Sequence, residues 1–247
     1  MDLYSASLQE PRLQFWAVRL DLTNPSFRIL VGPHFLERGK SLSITPSSFA
    51  RLYNCLITIN ATPFYPASAQ EGEIRQVVGL VVYKAEVLSQ PNPKYAALCF
   101  REPGSAFVME QRDILVKENQ AYAEGQKIQS AVGGFFIVLW KGGTNRFSDF
   151  RSARSAAGVN ATGTTLYLLV IDGNRWDSVG ATGEETGLLL QYLGATDGLL
   201  LDGGGSTSLV IQKADSFWKP VNVPMHLRAP HTERAVAVCL GVQLAEP

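Results

Sequence analysis

Apolar residues in this chain come in short runs separated by turn residues, and most runs are too brief for helices. FWAVRLD at 15–21 alternates in part and predicts a strand. Asn24-Pro25 marks a turn, and FRILV at Phe27–Val31 predicts the second arm of an opening hairpin. CLITI at 55–59 is a compact buried strand by its β-branched content. VVGLVVY at 77–83 and EVL at 86–88 predict a second hairpin across Lys84-Ala85, and residues 95–100 and 106–109 continue the β-rich pattern. Residues 111–129 are more polar, leaving a strand pair and irregular chain both open. AVGGFFIVLW at 131–140 is strongly apolar, with Gly133-Gly134 interrupting its start. Glycines inside a strand pattern indicate a bulge or a close approach by backbone or ligand. TLYLLVI at Thr165–Ile171, LLL at 199–201 and AVAVCLGV at 235–242 predict further buried strands.

Two segments read as helices. Thr45-Pro46 has the form of an N-cap followed by proline at the first helical position, opening a short helix through Leu52. TGEETGLLLQY at 182–192 has capping-box spacing between Thr182 and Glu185, acids in its first turn, and Gly194 to close it. Leu188 to Leu190 with Leu193 are its expected buried face. The pattern predicts an α+β fold: a single domain over 15–247 with a large, mostly antiparallel or mixed sheet and a few flanking helices, preceded by an N-terminal extension at 1–14. No repeat or linker divides the chain.

Composition narrows the classes of function. Hydrophobic residues make up 46% and charged residues 18% of 247 residues, enough to bury a sizeable core. Net charge is zero and Lys and Arg are scattered, which argues against nucleic acid as a partner. No apolar stretch reaches the ~18–20 residues of a membrane span, and the first residues lack the pattern of a signal peptide. Cys55, Cys99 and Cys239 lie in separate apolar runs and read as buried core thiols, with no CxxC and no disulfide framework. His34, His226 and His231 show no metal-ligand spacing, so no metal site is expected from them; His231, close to Glu233 and Arg234, is the most interesting of the three.

The densest chemistry lies in LLLDGGGSTSLVI at 199–211. Asp202 ends an apolar run, and Gly203, Gly204 and Gly205 then supply a turn whose peptide N–H groups can gather round an anion. Ser206 and Thr207 add hydroxyl donors. An Asp-Gly hairpin turn accounts for the same letters. Asp172, followed by Gly173, occupies the equivalent strand-end position, so the two Asp-Gly steps can set two carboxyls on one rim of a sheet. Acid–base chemistry uses such pairs when their surroundings hold them in different protonation states. Arg154 is a candidate bidentate clamp for phosphate, or a surface arginine with its stem packed. Asn60, ending the 55–59 strand in INATPFYP, can present an amide to a cleft or close an Asx-turn on its own backbone. The chain has no Walker lysine after its glycines and no GxSxG elbow. Asp172 and Asp202 with carbonyls leave Ca²⁺ or Mg²⁺ as the one cofactor to consider, although no DxDxDG-type run is present.

Taken together and in order, these segments resemble the phosphodiester glycosidases related to the mannose-6-phosphate uncovering enzyme. The resemblance runs through INATPF at 59–64, Gly133-Gly134, R-x-x-x-G at 154–158, LLVIDG at 168–173, LDGGGSTSLV at 201–210, VN-x-P at 221–224 and ER-x-V at 233–236. It covers the chain from about residue 15 to 242. INATPFYP departs from the more usual glycine-rich ING-x-F form, which bears on pocket shape and substrate. The resemblance implies cleavage of a sugar 1-phosphodiester, small-molecule or polymer, in an extracytoplasmic setting. It implies Asp202, Asp172, Arg154 and Asn60 as catalytic residues. Gly203, Gly204, Gly205, Ser206, Thr207, Gly134, Arg234 and Asn222 would hold substrate or phosphate. Two other classes stay open: a glycan- or cell-wall-polymer-binding module, with Phe64, Tyr65 and Trp218 stacking on sugars, and a metal-dependent phosphodiesterase cutting P–O.

Overall fold

Alternate residues of the Thr165–Ile171 strand enter two different cores. Leu166, Leu168 and Val170 join the largest apolar cluster, whereas Tyr167, Leu169 and Ile171 join a second one under the longer helix. A strand covered on both faces has no polar side to present, which is why this segment is apolar throughout. It lies near the middle of a seven-stranded sheet in which every neighbouring pair is antiparallel. The order is Asp2–Gln9, Arg12–Asp21, Thr165–Ile171, Arg154–Val159, Asp197–Leu200, Ile137–Trp140, Gly143–Thr144. The computed structural model describes residues 1–32, 35–68, 70–146, 149–213 and 217–245; the expectation for His34 falls outside them.

A five-stranded antiparallel sheet packs against the first through the largest cluster. Its order is Phe217–Pro220, Leu209–Lys213, Ile57–Asn60, Cys239–Leu244, Phe27–Val31. A second five-stranded sheet contains Ala96–Arg101 and Ser105–Glu110, and smaller sheets of four and three strands complete the described residues.

The expected α+β class is corrected to mostly β: strands take 49% of the residues and helices 11%. The difference comes from strands of two to four residues, too short for a period to show, including a meander over 115–127 where the sequence left the question open. Both expected helices are present. Thr45 caps Pro46–Leu52, and Gly183–Leu193 has the full capping box from Thr182 and Glu185, with Gly194 left-handed at its end. Within that helix Leu190 is fully buried but Leu188 is 49% exposed, so the buried face is narrower than expected.

Two pairings differ from expectation. The strands at 15–21 and Phe27–Val31 are not a hairpin: Phe15 pairs with Ile171 in the large sheet, and Val31 with Leu240 in the other. Hydrophobic pattern fixes which face of a strand is buried and leaves its partner undetermined. The run at 131–140 divides between Ser130–Gly133 and Ile137–Trp140, which belong to different sheets. Gly134 lies at the crossing. A Cβ placed there would sit 2.3 Å from the Leu200 carbonyl oxygen, so the close approach is made by the protein's own backbone. The 1–14 segment contains a strand, Asp2–Gln9, paired along its length with Arg12–Asp21. The three cysteines are buried free thiols, as expected.

Candidate active site

Sheet register brings the two Asp-Gly steps to one edge. Arg154–Val159 has Thr165–Ile171 and Asp197–Leu200 as its antiparallel neighbours, so those two strands run the same way. Ile171 faces Arg154 and Leu200 faces Ala156. Asp172 and Asp202 therefore leave the sheet at the same end, two interstrand spacings apart, roughly 10 Å at the level of the backbone.

Asp172 is 1% exposed and fully engaged. The Asn222 amide donates to Oδ1 at 3.1 Å, Arg175 Nη1 donates to Oδ2 at 2.9 Å, and the Val223 N–H lies 3.2 and 3.1 Å from the two oxygens. Burial outweighs these donors and pushes its pKa up to about 6. Asn222 also donates to the Thr207 carbonyl at 3.1 Å and accepts from the Leu209 N–H at 3.0 Å. These residues fasten the rim to the chain after the glycines and offer little to a guest.

Asp202 is only partly buried. Its N–H donates to the Ala61 carbonyl at 2.8 Å, and its carbonyl accepts from the Asn60 amide at 2.6 Å. The carboxylate is hydrogen-bonded by the Ser206 side chain and the Gly203 N–H and faces the charge of Arg234; burial still raises its pKa to about 6. Asn60 is wholly buried, and its oxygen accepts from the Ser155 hydroxyl at 2.7 Å and the Ser208 N–H at 3.1 Å. It is neither an Asx-turn nor a group open to a ligand, but a clamp between strands.

The glycine turn departs from the expected array of free amides. Residues Gly204–Ser206 form a 3-10 turn with Gly204 at φ 59°. Gly204 N–H donates to the Ala153 carbonyl, Ser206 N–H to Gly203 and Thr207 N–H to Gly204, while Gly203 N–H serves the Asp202 carboxylate. Among the described residues, only the Gly205 N–H of this stretch has no acceptor. The chain uses its own amides to hold the bend, because a buried peptide group left unpaired is costly. The buried Thr207 hydroxyl has no partner among the described residues.

Arg234 closes over that bend. Its Nη1 donates to Ser206 Oγ at 3.1 Å and its Nε to His226 Nδ1 at 3.1 Å. A Cβ on Gly205 would lie 2.5 Å from Arg234 Nη2, so the guanidinium occupies the space a side chain would need. No carboxylate forms an ion pair with Arg234 among the described residues. Arg154 likewise has no carboxylate partner there. Its Nε donates to the Ala181 carbonyl at 2.9 Å and its Nη2 to Phe150 at 2.7 Å, and burial lowers its pKa. Its backbone adjoins Gly203, but its head group turns toward the start of the longer helix rather than into the Asp202 cluster.

Two residues of this cluster were not among the expected site residues. Glu233 accepts from the Ser208 hydroxyl at 2.6 Å, and burial raises its pKa. His226 is 2% exposed and takes the place expected for His231, which is exposed. The sequence held one signal for Glu233: a Glu-Arg pair running straight into the buried AVAVCL segment, where charged residues need a purpose. Gly134, expected to meet substrate, sits instead at the sheet crossing. Trp218, half-buried, donates to the Cys55 carbonyl at 2.8 Å and packs one part of its ring system on the core. Cavities of about 590 and 630 Å³ lie away from this rim, one beside Phe107, Trp140 and Asp197 and one beside Phe27, Phe100 and Pro103. Among the described residues no three of His, Cys, Asp and Glu gather as a metal site would require. No described helix is long and apolar enough to cross a membrane.

A family model for the phosphodiester glycosidases matches residues 53–243, a span that includes every group of this cluster. The chain belongs to the phosphodiester glycosidase family. Solved structures of low identity share its fold. The catalytic domain of zebrafish N-acetylglucosamine-1-phosphodiester α-N-acetylglucosaminidase, auto-inhibited by its pro-peptide, superposes with a TM-score of 0.67 at 18% identity, over 99% of this chain and 83% of that one. A hypothetical protein from Synechocystis gives 0.71 at 16% identity over 98% of this chain, which spans 61% of the Synechocystis protein. A Burkholderia pseudomallei protein named for export gives 0.58 at 14%, over 94% and 74% of the two chains. No curated protein matches the sequence of this phosphodiester glycosidase relative.

Proposed function

We propose that this protein hydrolyses the C1–O bond of a sugar 1-phosphodiester, releasing free sugar and a phosphomonoester. The observation that carries it is the carboxyl of the half-buried Asp202 beside an arginine, Arg234, that has no carboxylate partner among the described residues. Such a guanidinium can take a phosphate oxygen on its free edge. Gly205 N–H adds a peptide donor.

The chemistry then divides among named groups. The leaving phosphate takes the electron pair of the C1–O bond and is stabilised by Arg234, so little protonation of the glycosidic oxygen is needed. Asp202, ionised above about pH 6, faces the positive charge that develops at C1. Water adds its oxygen to C1 and gives its proton to a second carboxyl. Glu233, held by Ser208 and Ser47, is our choice for that role, since both oxygens of Asp172 are already taken by Asn222, Arg175 and Val223. Asn60 holds the backbone of Asp202, and Asn222 holds the carboxyl of Asp172. No step here is routed through a divalent ion. Family membership and the name of the Burkholderia relative support an extracytoplasmic location.

The name of the zebrafish relative makes an α-linked N-acetylglucosamine phosphodiester the first substrate to try. Purified protein incubated with a panel of sugar phosphodiesters and nucleotide sugars is expected to release reducing sugar from at least one. Binding without release from any member would favour the glycan-binding module and end the enzymatic assignment.

A further inference from the structure

We propose that His226 binds the substrate directly, its Nε2–H donating to a phosphate oxygen, so that His226, Arg234 and the Gly205 amide make one anion subsite. The identity of the anion rests on the phosphodiester chemistry above. His226 opens the 3-10 turn His226–Arg228, and that turn packs on Gly204–Ser206. Its ring lies close enough to Gly205 that a Cβ there would be 3.4 Å from Nδ1.

The hydrogen bond with Arg234 fixes the tautomer. Arg234 Nε lies 3.1 Å from His226 Nδ1, and a guanidinium only donates. Nδ1 must therefore be the unprotonated nitrogen, which leaves the proton of the neutral ring on Nε2. Burial, and then the charge of Arg234, hold the ring below the usual histidine pKa and favour this neutral form. Yet Nε2 is buried and has no hydrogen-bond partner among the described residues. Native proteins leave few buried donors unpaired, and each one calls for an acceptor.

The neighbours indicate which acceptor. Arg234 Nη2 and the Gly205 N–H also lack partners among the described residues. The three residues that carry these unused donors adjoin one another, and one of them is cationic. The carboxylate nearest to them, Asp202, is already served by Ser206 and Gly203. A neutral hydroxyl would have to place a proton of its own among these donors. A phosphate offers several oxygens and no obligatory proton.

The chain has three histidines, which makes the test direct. Full-length protein labelled with ¹⁵N-histidine is titrated with inorganic phosphate and followed by two-bond ¹H–¹⁵N spectra, His226 being assigned by its loss in His226→Asn. We expect an Nε2-protonated ring whose Nε2 and attached proton shift as phosphate binds. His226→Asn keeps an acceptor for Arg234 but lacks the Nε2–H, and is expected to weaken phosphate binding about tenfold with its melting temperature unchanged. Should that variant fail to fold, the wild-type titration decides alone. Phosphate bound with His226 resonances unmoved, unaltered binding by a folded His226→Asn, or no phosphate binding at all would overturn the subsite. Phosphate held through His226 with no sugar released from any phosphodiester would retain the subsite and remove the glycosidase assignment; sugar release with a silent His226 would do the reverse.

Discussion

The Asn60 amide donates to the Asp202 carbonyl at 2.6 Å, joining the last residue of the central strand in one sheet to the residue that leaves the other. Its oxygen holds Ser155 and Ser208 at the same time. Asn60→Ala would leave these buried groups without partners and is expected to cost on the order of 2–4 kcal/mol in stability, with kcat falling as Asp202 loses its backing. Urea denaturation alongside kinetics checks this. A residue that touched the sugar would instead raise KM and leave stability alone.

Asp202→Asn keeps shape and hydrogen-bonding capacity but removes the charge. Sugar release is expected to fall by about 10²–10³ or more with an unchanged circular dichroism spectrum. In the wild type, kcat/KM should rise with pH through about 6 as Asp202 ionises. An acid limb absent from that region, or an active Asp202→Asn enzyme, removes Asp202 from the chemistry.

Gly205→Ala tests the seat of Arg234. The new Cβ would fall 2.5 Å from Nη2, at the far end of a flexible side chain, so the arginine swings aside and the fold survives. Activity is expected to drop about tenfold or more, since misplacing a positioned group by an ångström is costly, while the melting temperature moves little. Equal losses in stability and rate would mean that the glycine serves the bend alone.

Hydrolysis in ¹⁸O-labelled water separates the two bonds that could break. Label is expected in the released sugar, as C1–O cleavage requires. Label in the phosphomonoester would point to P–O cleavage, and a chelator would then show whether a divalent ion is involved.

Asp172 makes a prediction about stability. Its folded pKa is raised from 3.8 to about 6. A carboxyl shifted upward favours the fold while protonated, so its contribution is present below about pH 4 and is lost as pH rises through 6. Asp172→Asn can still accept from Asn222 and Val223, and is expected to flatten that decline and to match or exceed wild-type stability at pH 8. Asp172→Ala strands the same donors and should lose about 2–4 kcal/mol. Denaturation midpoints from pH 4 to 8 distinguish these outcomes.

Local signals carried much of the fold. The caps at Thr45, Thr182 and Gly194, and the turn at Lys84-Ala85, are decided by neighbours a few residues apart, and the chain obeys them. Partners distant in sequence were not legible, as Phe15–Ile171 and Val31–Leu240 illustrate, because a buried face does not name its neighbour. The same limit applied to the candidate site. Asp202, Arg234 and the glycines could be picked out as letters with a chemistry. That Asn60 and Asn222 would face inward as clamps, and that His226 rather than His231 would be buried, depends on contacts across 142, 50 and 8 positions respectively. The motif also could not tell that the bend spends most of its own amides on itself.

The stretch at 203–205 carries the chain from the Asp197–Leu200 strand of one sheet to the Leu209–Lys213 strand of the other. That stretch is therefore a direct covalent link between the two sheets. Leu199, Leu201 and Leu209, which flank it, all belong to the apolar cluster between the sheets. A methylene added or removed there would alter the spacing of Asp202 from Arg234 without either being touched, giving natural or laboratory evolution a way to retune turnover from the interior.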